Sequence, residues 1–278
     1  FESEQLDDSK VDTTVSAPSS YDFETEVKEG ITTSIFNANK DSTDRKDYTS
    51  VNGDSRPSTL GYGVYFNIIT DPNNSANKVL QANSKDSSNG VTGVIELDAQ
   101  RATGKRVHII EYDFYYVTNS QTQDIIQLEL LDAAGVKTGG AVTIMRSVSK
   151  TEFKVKSATA AEKFAAGKWY KFRIVIDSDA KTLDYHFLNE TDGKYYYAAQ
   201  TADISSSATI SKIRMIVNAY HNTGTFYMDN LKYYVAAEVP DADIIVSEMA
   251  GVTQPTEKTT YDFSNGLIPV TDYFKATS

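Results

Sequence analysis

The sequence predicts an all-β chain folded as an antiparallel β-sandwich, and three observations point there. Its 278 residues hold 18 Tyr and 12 Phe against a single Trp. With the abundant Thr, Val and Ile, these side chains suit a pleated, half-buried surface. From Tyr21 to residue 235 the chain is a series of short runs in which apolar and polar residues alternate, each closed by Asp, Asn, Gly or Ser. That is the mark of strands joined by tight turns. Roughly twelve such runs follow one another without a long helical period, which favours two packed antiparallel sheets.

Taken in order, residues 1–20 are polar and acidic, end in SAPSS, and read as a tail or linker. The opening FESEQLDDSK lacks Met and the charged, apolar and small-residue order of a signal peptide, so the chain reads as a mature or excised piece. Strands are then expected in YDFE, GYGVYFNIIT, NKVLQAN, VTGVIELD, RVHIIEYDFYYV, DIIQLELLD, GAVTIMRSV and TEFKV. SATAAEKFAAGK has the composition of at most one short surface helix. WYKFRIVID and TLDYHFL flank a hairpin turn at Asp177–Lys181, and a second turn falls at Asn189–Gly193 before KYYYAAQ, SKIRMIVNAY and TFYMDNLKYYV.

Alternation assigns faces. His108, Ile110, Tyr112, Phe114 and Tyr116 share one side of their strand, opposite Ile109, Glu111, Asp113 and Tyr115. Tyr170, Phe172, Ile174 and Ile176 oppose Lys171 and Arg173; Ile126, Leu128 and Leu130 oppose Gln127 and Glu129; Ile213, Met215 and Val217 oppose Lys212, Arg214 and Asn218. One side builds a core and the other is wet, as in an antiparallel sheet with one solvated face.

The pattern stops near Ala236. Residues 236–260 are mixed, carry two prolines and read as a linker, after which Tyr-Asp-Phe returns at Tyr261. Residues 261–278 are expected to open a second repeat. A strand folding back on the same sandwich, or one donated to a neighbouring molecule, stands beside that reading.

Net charge is −11 with no Lys/Arg cluster, which argues against nucleic acid or an anionic membrane surface as partner. No apolar run approaches the ~20 residues of a membrane span. There is no cysteine, so neither disulfides nor thiolate metal sites are available.

GKWYKFRIVIDSDAKTLDYHFLNETDGKYY, with Gly167, Trp169 and Tyr170 opening a long strand, resembles the concanavalin-A-like and laminin-G-like jelly-roll superfamily. GTFYMDNLKYY resembles the last strand of those jelly rolls and YDFE at Tyr21 their first, so the resemblance covers roughly residues 21–235. It implies a jelly-roll sandwich, a packing role for Trp169, and the setting of a secreted or cell-surface protein. The calcium-bearing carbohydrate modules of that superfamily join a first-strand acid to the Asp of the last strand. Those positions are Glu24 and Asp229, a candidate structural Ca²⁺ site; the alternative is that Asp229 caps a turn. At the second Tyr-Asp-Phe, Ser264 stands where Glu24 stands at the first.

Fold of this kind does not dictate activity. Glu111 and Asp113 point the same way and Glu129 is expected beside them, but the acidic triple of the jelly-roll glucanases ends here in Tyr115. A polar face balanced by Arg173 and Arg214 is the favoured account, and no catalytic residue is assigned. A lyase site at Tyr220, His221 and Arg214 ranks below it. The expected function is non-catalytic glycan binding by one module of a larger extracellular protein that degrades polysaccharide or sits at the cell surface. Its expected contacts are Tyr115, Gln127, Glu129, Arg173, Arg214, Asn218, Tyr220 and His221. The alternative is a structural repeat of a surface adhesin, and a glycosidase or lyase comes third. Expected partners are a polysaccharide, neighbouring domains of the chain and, through the C-terminal segment, a strand-exchanged copy.

Overall fold

The fold follows from a computed structural model that describes residues 19–24, 31–32, 36–41, 63–85, 92–98, 107–155, 163–204, 210–218 and 224–242. Residues 1–18 of the expected tail, most of the expected linker and the second Tyr-Asp-Phe lie outside the described residues, while Ser19 and Ser20, read as the end of the tail, belong to a strand. Among the described residues sixteen strands run in chain order: β1 Ser19–Tyr21, β2 Ile31–Thr32, β3 Phe36–Asp41, β4 Gly63–Asp71, β5 Asn74–Lys85, β6 Thr92–Asp98, β7 Val107–Asn119 and β8 Asp124–Leu131. They continue as β9 Val142–Ser147, β10 Glu152–Val155, β11 Phe164–Ala165, β12 Trp169–Asp177, β13 Thr182–Asn189, β14 Lys194–Asp203, β15 Lys212–Asn218 and β16 Gly224–Ala236. Among the described residues there is no helix. The expected surface helix is corrected in part: Phe164–Ala165, inside SATAAEKFAAGK, pairs with β10 as a strand, and residues 157–162 lie outside the described residues.

The strands form two eight-stranded sheets. The first runs β14-β13-β12-β7-β16-β5-β4, with β1 pairing the second half of β16; the second runs β11-β10-β9-β8-β15-β6-β3-β2. Every pairing is antiparallel, and the chain crosses between sheets at β1→β2, β3→β4, β5→β6, β6→β7, β7→β8, β11→β12, β14→β15 and β15→β16. Those crossovers make a jelly-roll sandwich rather than a meander. β1 lies against the last strand, Tyr21 opposite Leu231, as the first and last motifs lead one to expect.

The expected faces hold. Ile110, Tyr112, Phe114 and Tyr116 of β7, Phe172, Ile174 and Ile176 of β12, Ile126 and Leu128 of β8, and Ile213 and Met215 of β15 all enter one buried cluster. Aromatic edges stitch the sheets together: Phe153 of β10 lies 5.2 Å from Phe114 and 6.0 Å from Phe172, ring centre to ring centre. Edge-to-face pairs of this kind add to simple burial. Phe23 fills the same core at 0 % exposure although its backbone is left-handed, φ 60. The turns follow sequence chemistry: the Asp177 carboxylate accepts from the Asp179 and Ala180 amides, and Gly193 takes φ 69.

Candidate functional site

Residues that point away from the core divide between two surfaces on opposite sides of the sandwich. The single wet face expected from alternation is therefore corrected. Tyr115 and Arg173 project from the first sheet. Gln127, Glu129 and Arg214 project from the second, since Ile126, Leu128, Ile213 and Met215 enter the core beside them. Glu129 consequently cannot join Glu111 and Asp113. Alternation tells in from out but not which sheet a strand joins, because pairing is non-local.

On the second sheet the outward groups are committed to one another. Arg214 Nε sits 2.7 Å and Lys212 Nζ 2.9 Å from the Glu96 carboxylate. Burial pushes the Glu96 pKa up, but these two cations outweigh it and hold the carboxyl below its usual range. Lys137 pairs with Glu129. Gln127 donates to Asp124, which also takes Arg146 at 2.6 Å. The side chain of Asn218 and the whole of Tyr220 and His221 lie outside the described residues.

Arg173 is likewise spent. It is 7 % exposed; its Nε donates to His186 Nδ1 at 3.0 Å, its guanidinium lies 3.8 Å over the Tyr195 ring, and Nη2 donates to the Asp241 carbonyl at 2.7 Å. Burial, then the Arg173 charge, lowers the His186 pKa to about 3, so the imidazole is neutral. The segment after β16 crosses this end of the sheet and is tied down by Arg173, beside an outward apolar cluster of Val107, Ile109, Val175, Tyr234 and Ala236.

The other end of the same surface is different. Register aligns Trp169 with Tyr115, Tyr115 with Tyr227, Tyr227 with Gln81, and Gln81 with Asn67, one residue from each of β12, β7, β16, β5 and β4. All five are half-buried and face outward. The Tyr115 ring lies 5.3 Å from Trp169 and 5.4 Å from Tyr227. Asn67 and Asn83 both donate to Gln81 Oε1, at 3.3 and 2.8 Å, and Thr225 donates to Asn83. Alternation places Tyr115 here; Trp169, expected to pack, instead stands half-buried at the end of this outward row. Tyr227, Gln81 and Asn67 were not singled out, although each stands next to a core residue in its strand, because only the strand order aligns them.

Trp169 Nε1 also reaches Asp71 Oδ1, at 3.4 Å. Asp71 ends β4, four places away in the sheet. A flat sheet would hold those strands four spacings of ~4.8 Å, roughly 19 Å, apart. The β4–β5 hairpin tip is therefore brought over the outer surface toward Trp169, and Trp169 and Asp71 together bound the strip of surface that carries the aromatic row, hereafter the trough. Asp71 is held by the Asn73 amide at 2.8 Å and by Asn77.

Beneath the row, Asp113 and Asp229 face each other on neighbouring strands. Asp229 takes Asn77 Nδ2 at 2.9 Å and the Asn230 amide at 2.8 Å; burial, with Asp113 and Asp22 nearby, pushes its pKa up to about 6. Asp113 Oδ2 accepts from Asn230 Nδ2 at 2.7 Å, while its buried Oδ1 has no partner among the described residues; burial raises this carboxyl as well. Glu24 is exposed and accepts from the Lys78 amide at 2.9 Å, next to the Asn77 that holds Asp229. Among the described residues no group of three or more acids or histidines is gathered for a metal.

No protein-family model matches the chain, and no curated protein matches it. Among solved structures it is similar to lectin II from Ulex europaeus, at 11 % identity over 80 % of this chain and 99 % of that one, TM-score 0.45. It is similar to the CBM22-1 xylan-binding domain from Paenibacillus barcinonensis, at 14 % identity over 80 % and 95 %, TM-score 0.38. A sialidase matches at 14 % identity and TM-score 0.40 over 63 % of this chain; the chain spans 17 % of that protein's length.

Proposed function

We propose that the trough on the first sheet binds a glycan chain without cleaving it. The observation that carries this is the row Trp169, Tyr115, Tyr227, Gln81, Asn67 running across five adjacent strands. Aromatic faces pack against the C–H faces of sugar rings, and planar amides meet ring hydroxyls. Both kinds of group stand half-exposed in one line. A cleaving site would need a carboxyl group within hydrogen-bond reach of the bond broken. Asp229 is 4 % exposed with both oxygens bonded, Asp71 is 7 % exposed with its oxygens held by Asn73, Asn77 and Trp169, and the free oxygen of Asp113 is buried, so none of the three is presented to substrate.

The test is a binding panel of purified polysaccharides with a parallel assay for released reducing ends. The wild type retains at least one polysaccharide and releases nothing, and Trp169→Ala or Tyr227→Ala weakens retention about tenfold or more, the loss of a stacking contact of ~1.5 kcal/mol or above. Retention untouched by both substitutions sinks the assignment.

The same reading places the module outside the cell within a larger protein, where polymeric glycans are met. A structural Ca²⁺ between Glu24 and Asp229 belongs to the reading too. Left-handed Phe23 and Asn230 turn both backbones there, and the like charges of Asp113 and Asp22 crowd Asp229. An ion would draw its remaining oxygens from carbonyls and water. Chelation then lowers the melting temperature of protein prepared in millimolar calcium; coincident melts with and without chelator dismiss the ion.

A further inference from the structure

We infer that the trough is selective for uncharged glycans and turns away chains that carry uronate or sulfate groups. This rests on the glycan-binding reading of the trough and adds the chemical class of its ligand. Recognition of a carboxylate or sulfate relies on Arg or Lys donors held in place. The row Trp169, Tyr115, Tyr227, Gln81 and Asn67 contains none. Among the described residues Arg173 is the buried cation of this sheet, and its three contacts with His186, Tyr195 and Asp241 turn it to the far end of the surface. Lys232 stands opposite Glu111, and Lys171 stands opposite Asp113, so each lysine faces a carboxylate of its own.

Lys168, next to Trp169, is drawn over the Tyr170 ring at 5.0 Å, and among the described residues what remains beside the row is negative. Asp71 lies at the wall, bonded to the indole of Trp169, and its charge is felt by the Tyr227 hydroxyl, whose pKa is raised by burial first and then by Tyr115 and Asp71. Asp229 lies one pleat below Tyr227 on the same strand. An anionic sugar stacked on Tyr115 and Tyr227 therefore loses its hydration beside carboxylates and gains no cation. Like charges brought together at a binding surface are costly in this way.

Affinity electrophoresis tests it, with each mobility taken against a gel lacking polysaccharide. The neutral probes are β-glucan, arabinoxylan and galactomannan; the anionic probes are polygalacturonate, alginate and heparin. We expect retardation by at least one neutral probe and, for every anionic probe, binding weaker by about tenfold or more. Asp71→Asn with Asp113→Asn should raise anionic relative to neutral binding, because the amides keep an acceptor oxygen and shed the charge. Glu152→Gln with Glu238→Gln changes net charge equally and lies away from the trough, and should leave the ratio where it was. Wild-type protein that binds an anionic probe as well as its best neutral one overturns the selectivity while leaving glycan binding intact. An equal gain from the remote pair also overturns it, since the chain's overall −11 would then be the cause. Retardation by no probe of either kind overturns the glycan reading and the selectivity with it.

Discussion

Asp229 shows what a single buried carboxyl does to this surface. Its folded pKa, about 6, lies above the ordinary 3.8, so between those values the folded chain holds a proton that the unfolded chain has released. Its contribution to stability is therefore present at low pH and lost as pH rises through about 6. Asp229→Asn keeps an acceptor for Asn77 and removes the charge. With chelator present, so that no ion contributes, the variant should melt above the wild type at pH 7–8, and the gap should close on acidification to pH 4. Thermal melts across that range check this, and a variant that melts lower at pH 8 contradicts it. At this scale the sequence was half legible. The Asp-Asn pair marks a last strand, and alternation puts Tyr115 outward, whereas Trp169, expected to pack, stands half-buried on the outer surface. The crowding of Asp229 by Asp113 and Asp22 was not visible, because it depends on which strands are neighbours.

At the scale of the strand, alternation in β7, β8, β12 and β15 predicted every inward row, since a period of two is a local property of the chain. The short Phe164–Ala165 strand was missed because its helical composition is overruled by pairing with β10 and by burial of Phe164 against Phe153 and Phe172. Arg173 points outward as alternation predicts, but it is engaged by His186, Tyr195 and the Asp241 carbonyl, and local pattern does not reveal that the segment after β16 returns to meet it. Truncating it should therefore hurt the fold and spare the ligand. Arg173→Ala loses two hydrogen bonds and the stack on Tyr195, worth together ~2–3 kcal/mol. We expect a melting temperature lower by several degrees and unchanged affinity for any bound glycan. Lost affinity with an unchanged melt would return Arg173 to the binding site.

For the whole molecule, two antiparallel sheets around one aromatic core give two outer surfaces with separate characters. The second sheet's surface is a charge ladder, in which Glu96, Lys212 and Arg214 satisfy one another. The first sheet's surface is a trough with an aromatic row at one end and a strapped, buried arginine at the other. Fold class and the meeting of first and last strands were readable from strand punctuation and terminal motifs. The trough was not, because it exists only once β12, β7, β16, β5 and β4 stand side by side and the β4–β5 tip is brought over toward Trp169. The chain contains one tryptophan, Trp169, and it forms the trough wall. Its fluorescence is thus a built-in report on the proposed site. Titrating the protein with a neutral oligosaccharide should shift or quench Trp169 emission saturably, Tyr227→Ala should abolish the change, and Gln127→Ala on the opposite sheet should leave it intact. Binding by calorimetry with silent Trp169 emission, or binding lost in Gln127→Ala and kept in Tyr227→Ala, would contradict the assignment of the glycan to the first sheet.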